Sequence, residues 1–449
     1  MTGDVTESRG GDLVVKLATC PYPSCEGGPE VGVDSLCPVC AQRVTRCRTC
    51  TSTNRDDAFF CRACGRELAP GTGTWTQFKQ GNDRTGSYDH PTLSVRKGSL
   101  ARSCSESFEP CPGRLLAAHG KLYATYTSGK IQEISQADLR PLRSWAGSGV
   151  GRGARFDSAV MGTSLYLCGG ASVDVFPLRG STQPWSYQLP AGWMVRRESL
   201  TVLDGYFAVT MYVEDGRRWK LLCFRHDPQG SPRPAWETPE FAENEALATP
   251  VVIRNHLVVV SSLGGAYVYN PVNGPTPVSP ARRATEFGYQ VSVHPASIGD
   301  WVYAVGREAQ DNMSSIRYLS PGDERVRSHL LHPVQARFPA ALVKCQNELL
   351  VTFPEGFLLL STAGIVLRTS TTPGDLGNEP PVVVGPFVFL LSRSRGLIHL
   401  YSRQGSDMVK LDPYPSETVA PGPYVSLVPG EDAVFALRED GVVERIGFE

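Results

Sequence analysis

The chain has no stretch of about 20 consecutive apolar residues, the length a helix needs to cross a bilayer. Its longest apolar run, Pro380–Leu391, is interrupted by prolines and a glycine. The segment Met1–Val15 is polar and lacks a basic head followed by an apolar core, so no secretory signal is read there. Neither sign of charge is in excess: 44 basic residues face 45 acidic ones, for a net charge of -1. That balance excludes a chain built as a whole for nucleic acid or an anionic membrane surface. The eight histidines are dispersed and form no H-x-x-x-H pair. There is no phosphate loop, no G-x-S-x-G elbow and no kinase signature. These absences point to a soluble, cytoplasmic chain without a catalytic constellation.

What is present is turn chemistry and cysteine. Glycine (45) and proline (35) are both raised, as in a chain of many short elements. At 449 residues, length alone suggests about two to three domains. Of 13 cysteines, eight lie within residues 20–64, while Cys104, Cys111, Cys168, Cys223 and Cys345 are scattered. In a reducing compartment, clustered pairs are metal ligands and not a disulfide framework.

The pairs are Cys20/Cys25, Cys37/Cys40, Cys47/Cys50 and Cys61/Cys64. A C-x-x-C turn sets two thiolates on one side of a tight loop, and two such turns complete a tetrahedral site. Eleven residues separate Cys25 from Cys37, six separate Cys40 from Cys47, and ten separate Cys50 from Cys61. The longer intervals fit a hairpin within a site and the shorter one a linker between sites. Cys20, Cys25, Cys37 and Cys40 are therefore expected to hold one zinc ion, and Cys47, Cys50, Cys61 and Cys64 a second. A cross-braced pairing, first pair with third and second with fourth, is the alternative. Eight thiolates leave no open coordination position and the segment contains no histidine. The two zinc ions are thus expected to be structural, standing in for a core that so short a segment cannot build.

The run Cys47–Arg48–Thr49–Cys50, then Phe59–Phe60–Cys61–Arg62–Ala63–Cys64–Gly65 and Leu68, resembles the double zinc ribbon family, whose knuckle ends F-C-x-x-C-G-x-x-L. The resemblance spans roughly residues 17–69, and the C-x4-C opening at Cys20/Cys25 departs from it slightly. It implies a small docking module. Arg43, Arg46, Arg48, Arg55, Arg62 and Arg66 make the module locally basic, and Phe59 and Phe60 offer stacking faces. Nucleic-acid contact is therefore kept as an alternative to protein contact. Arginine supplies 36 of the chain's 44 basic residues, however, so these positions also fit a general compositional bias.

From residue 114 onward the chain repeats a unit of short apolar strands. Copies begin near Leu115, Ser158, Leu200, Val251, Ala296, Ala340, Val382 and Val425. Seven keep a glycine in the second turn: Gly129, Gly170, Gly216, Gly265, Gly356, Gly396 and Gly441. The fifth has instead a longer loop, expected at Arg307–Ser315. The second strands, such as Leu257–Val260, Trp301–Val305 and Phe387–Leu391, are β-branched and aromatic, which favours strand over helix. A period of about 40–50 residues built from short strands predicts an all-β fold, a β-propeller with one four-stranded blade per copy. Eight copies predict eight blades, with seven as the alternative.

The units Thr249–Pro250–Val251–Val252, Gly265–Ala266–Tyr267–Val268–Tyr269 and Trp301–Val302–Tyr303–Ala304 resemble the propeller repeats of quinoprotein (PQQ-type) dehydrogenases. That family's outer-strand tryptophan recurs at Trp145, Trp185 and Trp236. Such enzymes hold a quinone and calcium at the central funnel and often carry an adjacent Cys–Cys disulfide; this chain has no Cys–Cys pair. Residues preceding each innermost strand are expected to line one channel mouth: Asp157, Arg197, Glu198, Thr249, His294, Arg337 and Glu379. Their mixed charges form no catalytic set. Cys168, Cys223 and Cys345 sit in or beside apolar strands and are expected to be core thiols. Cys104 and Cys111 fall outside the repeats.

The last copy ends on its third strand, so closure needs a strand from elsewhere. Thr74–Phe78 or Thr92–Arg96 is expected to pair onto the final blade. The expected organisation is a flexible N-terminus (1–16), a double zinc ribbon (17–69), a linker with the closing strand (70–113) and a propeller (114–449). The function expected is a non-enzymatic scaffold or adaptor in a cytoplasmic prokaryotic multi-protein system. Its docking surfaces would be the ribbons and the propeller loops, with no membrane partner. The alternatives are a small-ligand sensor or quinoprotein-like enzyme using the funnel, and nucleic-acid binding through the ribbons.

Overall fold

The computed structural model describes residues 112–448 apart from loop segments, among them 147–156, 331–340 and 412–422, together with short strands at 44–46, 53–55, 87–88 and 100–104. The chain divides into two compact units, Met1–Leu68 and Ala69–Glu449. In the first unit, Val44–Arg46 pairs antiparallel with Thr53–Arg55, Val44 opposite Arg55. The residues that join these strands in sequence include Cys47 and Cys50. These two, and Cys20, Cys25, Cys37, Cys40, Cys61 and Cys64, lie outside the described residues.

The second unit is an eight-bladed β-propeller, with eight separate sheets of four or five strands. Seven blades are thereby excluded. Among the described residues there is no helix, and none long and apolar enough to cross a membrane. Blades 1 to 8 follow chain order. Their innermost strands start at Pro112, Asp157, Trp193, Val251, Tyr289, Ala341, Val382 and Tyr424.

Each blade is sandwiched between two others, so its inner strands are covered on both faces. They accordingly carry near-continuous apolar runs and not alternation. Ser164–Gly169, Gly356–Leu360 and Phe387–Ser392 are buried at every position. The outermost strand Pro141–Ala146 of blade 1, by contrast, is only half-buried at alternate residues and otherwise exposed. The apolar core forms between neighbouring blades: one cluster joins blades 2 and 3, another blades 5 and 6, and a larger one runs through blades 7, 8, 1 and 2.

Trp145, Trp185 and Trp236 lie on the outermost strands of blades 1, 2 and 3, where the repeat resemblance places them. Trp145 packs edge-on against Phe176 of blade 2. The Trp236 indole N–H donates to the Pro271 carbonyl of blade 4 at 2.7 Å. Trp145 and Trp236 thus each tie their blade to the next.

The turn glycines serve two ends. Gly129 and Gly441 have φ of +84° and +85°, which a side chain resists. Gly265 is needed for space: a Cβ there would approach Ser261 Oγ at 2.9 Å and the Tyr267 ring at 3.0 Å. In the fifth copy the long loop is shorter than its sequence suggests. The second strand runs Trp301–Glu308 and the third starts at Ser314, with Arg307 opposite Ser314. Blades 3 and 5 share this lengthened second strand, and in both the innermost strand is split in two. Trp193–Val195 and Thr201–Leu203 pair with Tyr206–Val213, and Tyr289–Val291 and Ala296–Ile298 pair with Trp301–Glu308. In blade 5 the polar residues Arg307 and Glu308 extend the ladder, each paired with the inner piece Tyr289–Val291.

Ring closure corrects the expected strand. Neither Thr74–Phe78 nor Thr92–Arg96 is the one; both lie outside the described residues. Leu100–Cys104 pairs antiparallel with Val443–Phe448 as the outermost strand of blade 8, Leu100 opposite Phe448 and Cys104 opposite Glu444. Cys104 therefore belongs to the propeller sheet. Proximity in sequence favours this strand: from Cys104 a short connection returns to the innermost strand of blade 1 at Pro112, as between other blades.

Cys168, Cys223 and Cys345 are free, buried thiols, as their strands suggested. Burial raises all three, Cys223 to about 12 and Cys345 to about 11, with Asp157 and Asp174 adding to the effect at Cys168. Burial also lifts the Tyr303 phenol to about 12. The folded chain therefore holds protons that the unfolded chain releases from about pH 9 upward. Stability from these groups is complete below that value and is lost as pH rises through 9 to 12. Denaturant midpoints measured between pH 8 and 11 are expected to fall with a slope that steepens above pH 9; a flat profile would contradict this burial.

Candidate functional site

The channel mouth is built from residues at the starts of innermost strands. Arg114, in the first strand of blade 1, is 7% exposed and reaches across the channel. Its guanidinium donates to Glu198 of blade 3 and, at 3.3 Å, to Glu379 ahead of the innermost strand of blade 7. Its own backbone is fixed by Thr125, whose Oγ1 accepts from Arg114 N at 2.9 Å. One cation thus joins three blades.

Glu198 is held in place by its backbone. It sits in the break between the two inner-strand pieces of blade 3, at a φ of +59°. For a glutamate this left-handed conformation costs on the order of 1 kcal/mol and persists only where the surroundings impose it. They do so here: Thr249 Oγ1 of blade 4 donates to the Glu198 carbonyl at 2.7 Å. On its two sides, Arg196 N and Ser199 Oγ both donate to the Thr210 carbonyl, at 2.9 and 3.2 Å.

Asp157 is fully buried and spends its carboxylate on backbone groups. Oδ1 accepts from Ser158 N at 3.0 Å, and Oδ2 accepts from Leu200 N of blade 3 at 2.6 Å. Thr201 Oγ1 donates to the Pro250 carbonyl at 2.7 Å, and Leu115 N donates to Ser426 Oγ of blade 8 at 3.3 Å. These bonds make a polar belt between innermost strands, where neighbouring blades have no ladder between them. In Asp157→Ala, Leu200 N–H keeps its burial and loses its charged acceptor. The expected cost is about 2–3 kcal/mol in denaturant unfolding, with Asp157→Asn costing less. No measurable change would remove Asp157 from the belt.

Of the seven mouth residues expected from sequence, Asp157, Glu198, Thr249 and Glu379 are described, and the structure gathers them on blades 2, 3, 4 and 7. Arg197, His294 and Arg337 lie outside the described residues. Arg114 was missed, although the same rule of taking the residue before each copy's apolar strand, applied to Leu115, would have found it. Among the described residues no group of three or more His, Cys, Asp or Glu side chains could hold a metal ion.

The channel also contains chain from outside the repeats. Ser87–Tyr88 pairs in parallel with the inner edge of Val382–Val384 in blade 7, Ser87 opposite Val383 and Tyr88 opposite Val384. That edge faces the channel, since the opposite edge of Val382–Val384 pairs with Phe387–Ser392.

The class this geometry defines is a closed eight-bladed propeller whose channel mouth is bridged by its own charges. No protein-family model matches the chain, and no curated protein sequence matches it. Solved structures share its fold. The computationally designed protein Ika8 aligns with a TM-score of 0.56 at 13% identity, over 79% of this chain and 100% of its own. BamB from Moraxella catarrhalis aligns with a TM-score of 0.54 at 13% identity, over 79% and 100%. Sqt1 from Saccharomyces cerevisiae aligns with a TM-score of 0.54 at 10% identity, over 79% and 99%. At these identities the likeness is one of fold alone.

Proposed function

We propose that the protein is a non-enzymatic protein-interaction scaffold of a cytoplasmic prokaryotic assembly. The observation that carries this reading is Arg114, which bridges Glu198 and Glu379 across the channel mouth. In an enzyme with a central funnel, that position is where reactive groups meet substrate. Here the described charges satisfy one another and tie blades together. A closed ring supported from within leaves its loops as the surface for contact, and propeller folds lend themselves to that use.

In the same reading, the first unit is a double zinc ribbon that holds two structural zinc ions through Cys20, Cys25, Cys37, Cys40, Cys47, Cys50, Cys61 and Cys64. The antiparallel pair Val44–Arg46 and Thr53–Arg55, with Cys47 and Cys50 between its strands in sequence, suits a C-x-x-C knuckle. The metals would supply folding energy and no reaction step.

The test is purification of the tagged full chain from its native host, with metal analysis of the same sample. A stoichiometric protein partner that survives raised salt, together with two zinc ions per chain, is expected. A co-purifying quinone with visible absorbance would replace the scaffold with a funnel enzyme. Nucleic acid lost steeply with salt would favour the arginines of the ribbon. Fewer than two zinc ions per chain would overturn the two-site assignment.

A further inference from the structure

Arg196 directly follows the inner-strand piece Trp193–Val195 of blade 3, and no carboxylate among the described residues meets its guanidinium. Other arginines withdrawn from solvent are paired: Arg114 with Glu198 and Glu379, Arg403 with Glu348 at 2.9 Å, and Arg438 with Glu444 at 3.2 Å. Arg196 has a ring instead, its Cζ lying 5.8 Å from the centre of the Trp219 indole. Burial pulls the guanidinium down to about 10, with no neighbouring charge opposing the shift. Strand alternation fixes where the side chain runs. Trp193, Val195, Val209 and Met211 belong to the apolar cluster between blades 2 and 3. Arg196 and Thr210 are their immediate neighbours in sequence and so project from the other face, toward blade 4, where Trp219 joins the next cluster. Arg196 N donates to the Thr210 carbonyl at 2.9 Å, which continues the ladder from Val195 and Met211 and sets the two residues opposite each other. Trp219 lies two strands from Arg196, at about 4.8 Å per strand, so the arginine chain crosses the strand that carries Thr210. Thr210 is fully buried, and its hydroxyl also finds no hydrogen-bond partner among the described residues.

We propose that Arg196 and Thr210 form an oxyanion-binding site at the seam of blades 3 and 4, which takes one carboxylate or phosphate group. A buried cation and a buried hydroxyl on one face, both without an acceptor, are matched by a ligand that brings charge and lone pairs together. The guanidinium supplies the charge and a fork of N–H donors, and the Thr210 hydroxyl supplies one more bond. Trp219 is a flat wall that holds the guanidinium in place, and Tyr212 stacks on it at 5.1 Å. Arg196 keeps part of its surface in solvent, so a dissolved anion reaches it. The site stands beside the channel network and is separate from it, because Glu198 is turned to Arg114.

The test is titration of the full chain at pH 7 with inorganic phosphate and, separately, with acetate, at fixed ionic strength. The readout is the indole N–H resonance of Trp219, which donates to the Gly216 carbonyl at 2.8 Å and whose signal is identified with Trp219→Phe. A saturable shift with at least one of the two anions is expected. Arg196→Gln should weaken that binding about tenfold or more, through loss of a charged donor, and Thr210→Val by about three- to tenfold, through loss of one hydrogen bond. Saturation by phosphate alone assigns a phosphoryl ligand, and saturation by acetate assigns a carboxylate. Saturation by neither anion, or an unchanged titration in either variant, overturns the site. Should the variants fail to fold, the native chain still decides. Its unfolding midpoint must rise with the logarithm of the phosphate or acetate concentration, and by more than in chloride of the same ionic strength. Equal midpoints in all three salts overturn the proposal.

Discussion

A chain that begins at residue 112 is expected to lose the stable closed ring, while one that begins at residue 97 is expected to keep it. The difference is the strand Leu100–Cys104, which completes blade 8 against Val443–Phe448. Without it, about five backbone hydrogen bonds worth about 1 kcal/mol each are lost. Val443–Phe448 becomes an open edge, a template for pairing with other chains. The closing strand also links the start of the ring's sequence to its end, so that blade 8 is built from both. Its loss leaves blades 8 and 1 joined by side-chain packing, through residues such as Leu115, Val428 and Phe435, and by the Leu115 N–H bond to Ser426 Oγ. A cost on the order of 5 kcal/mol in a unit of this size corresponds to a fall of roughly 7 °C in the unfolding midpoint. Thermal unfolding and size-exclusion chromatography of the two truncated chains check this. Equal midpoints and monomeric elution for both would show that blade 8 is complete without Leu100–Cys104.

The same strand shows where the sequence was legible and where it was not. The eight copies were read from inner strands, whose apolar runs reflect burial on both faces, as at Phe387–Ser392. Outermost strands such as Asp407–Lys410, exposed at three of four positions, carry little apolar signal. Three strands per copy were therefore visible where four exist. The closing strand is one of these outer strands. Leu100–Cys104 contains Arg102 and Ser103, and the more strand-like segments Thr74–Phe78 and Thr92–Arg96 drew the assignment instead. Pattern alone does not register how short a connection back to Pro112 must be.

The mouth was half legible for a related reason. Positions at or near the start of an innermost strand fall at the channel mouth whatever their residue, so Asp157, Glu198, Thr249 and Glu379 could be placed by counting. Their roles could not. Asp157, expected only to line the mouth, is a clamp on the backbone of blade 3. Glu198 gives no sequence sign of its φ of +59°, a conformation its neighbours impose and that glutamate has no preference for. The pairing of Ser87–Tyr88 with blade 7 had no signal at all: two residues of backbone pairing leave no periodicity to detect.

Replacing Arg114 with methionine is expected to destabilise the propeller by about 2–4 kcal/mol. The variant keeps the unbranched apolar stem of the side chain and removes the guanidinium, so Glu198 and Glu379 are left facing a shared space without the cation that joins them. Their side chains are 23% and 17% exposed, so water relieves part of the penalty, and the estimate falls below that for a fully buried pair. The penalty arises from the stranded carboxylates and only secondarily from the lost bonds. Neutralising them should therefore repair most of it. The triple variant Arg114→Met/Glu198→Gln/Glu379→Gln is expected to recover more than half of the loss, whereas Glu198→Gln/Glu379→Gln with Arg114 intact is expected to be destabilised in its turn. Denaturant unfolding of the four chains forms the cycle that isolates the coupling between the arginine and the glutamates. Additive losses would mean that Arg114 acts by packing alone. The cycle also bears on function. If the network is a weld between blades 1, 3 and 7, the triple variant should retain the protein partner sought by purification, because the contact surface lies in the loops. If it is instead the floor of a ligand site, stability will be repaired while binding is lost.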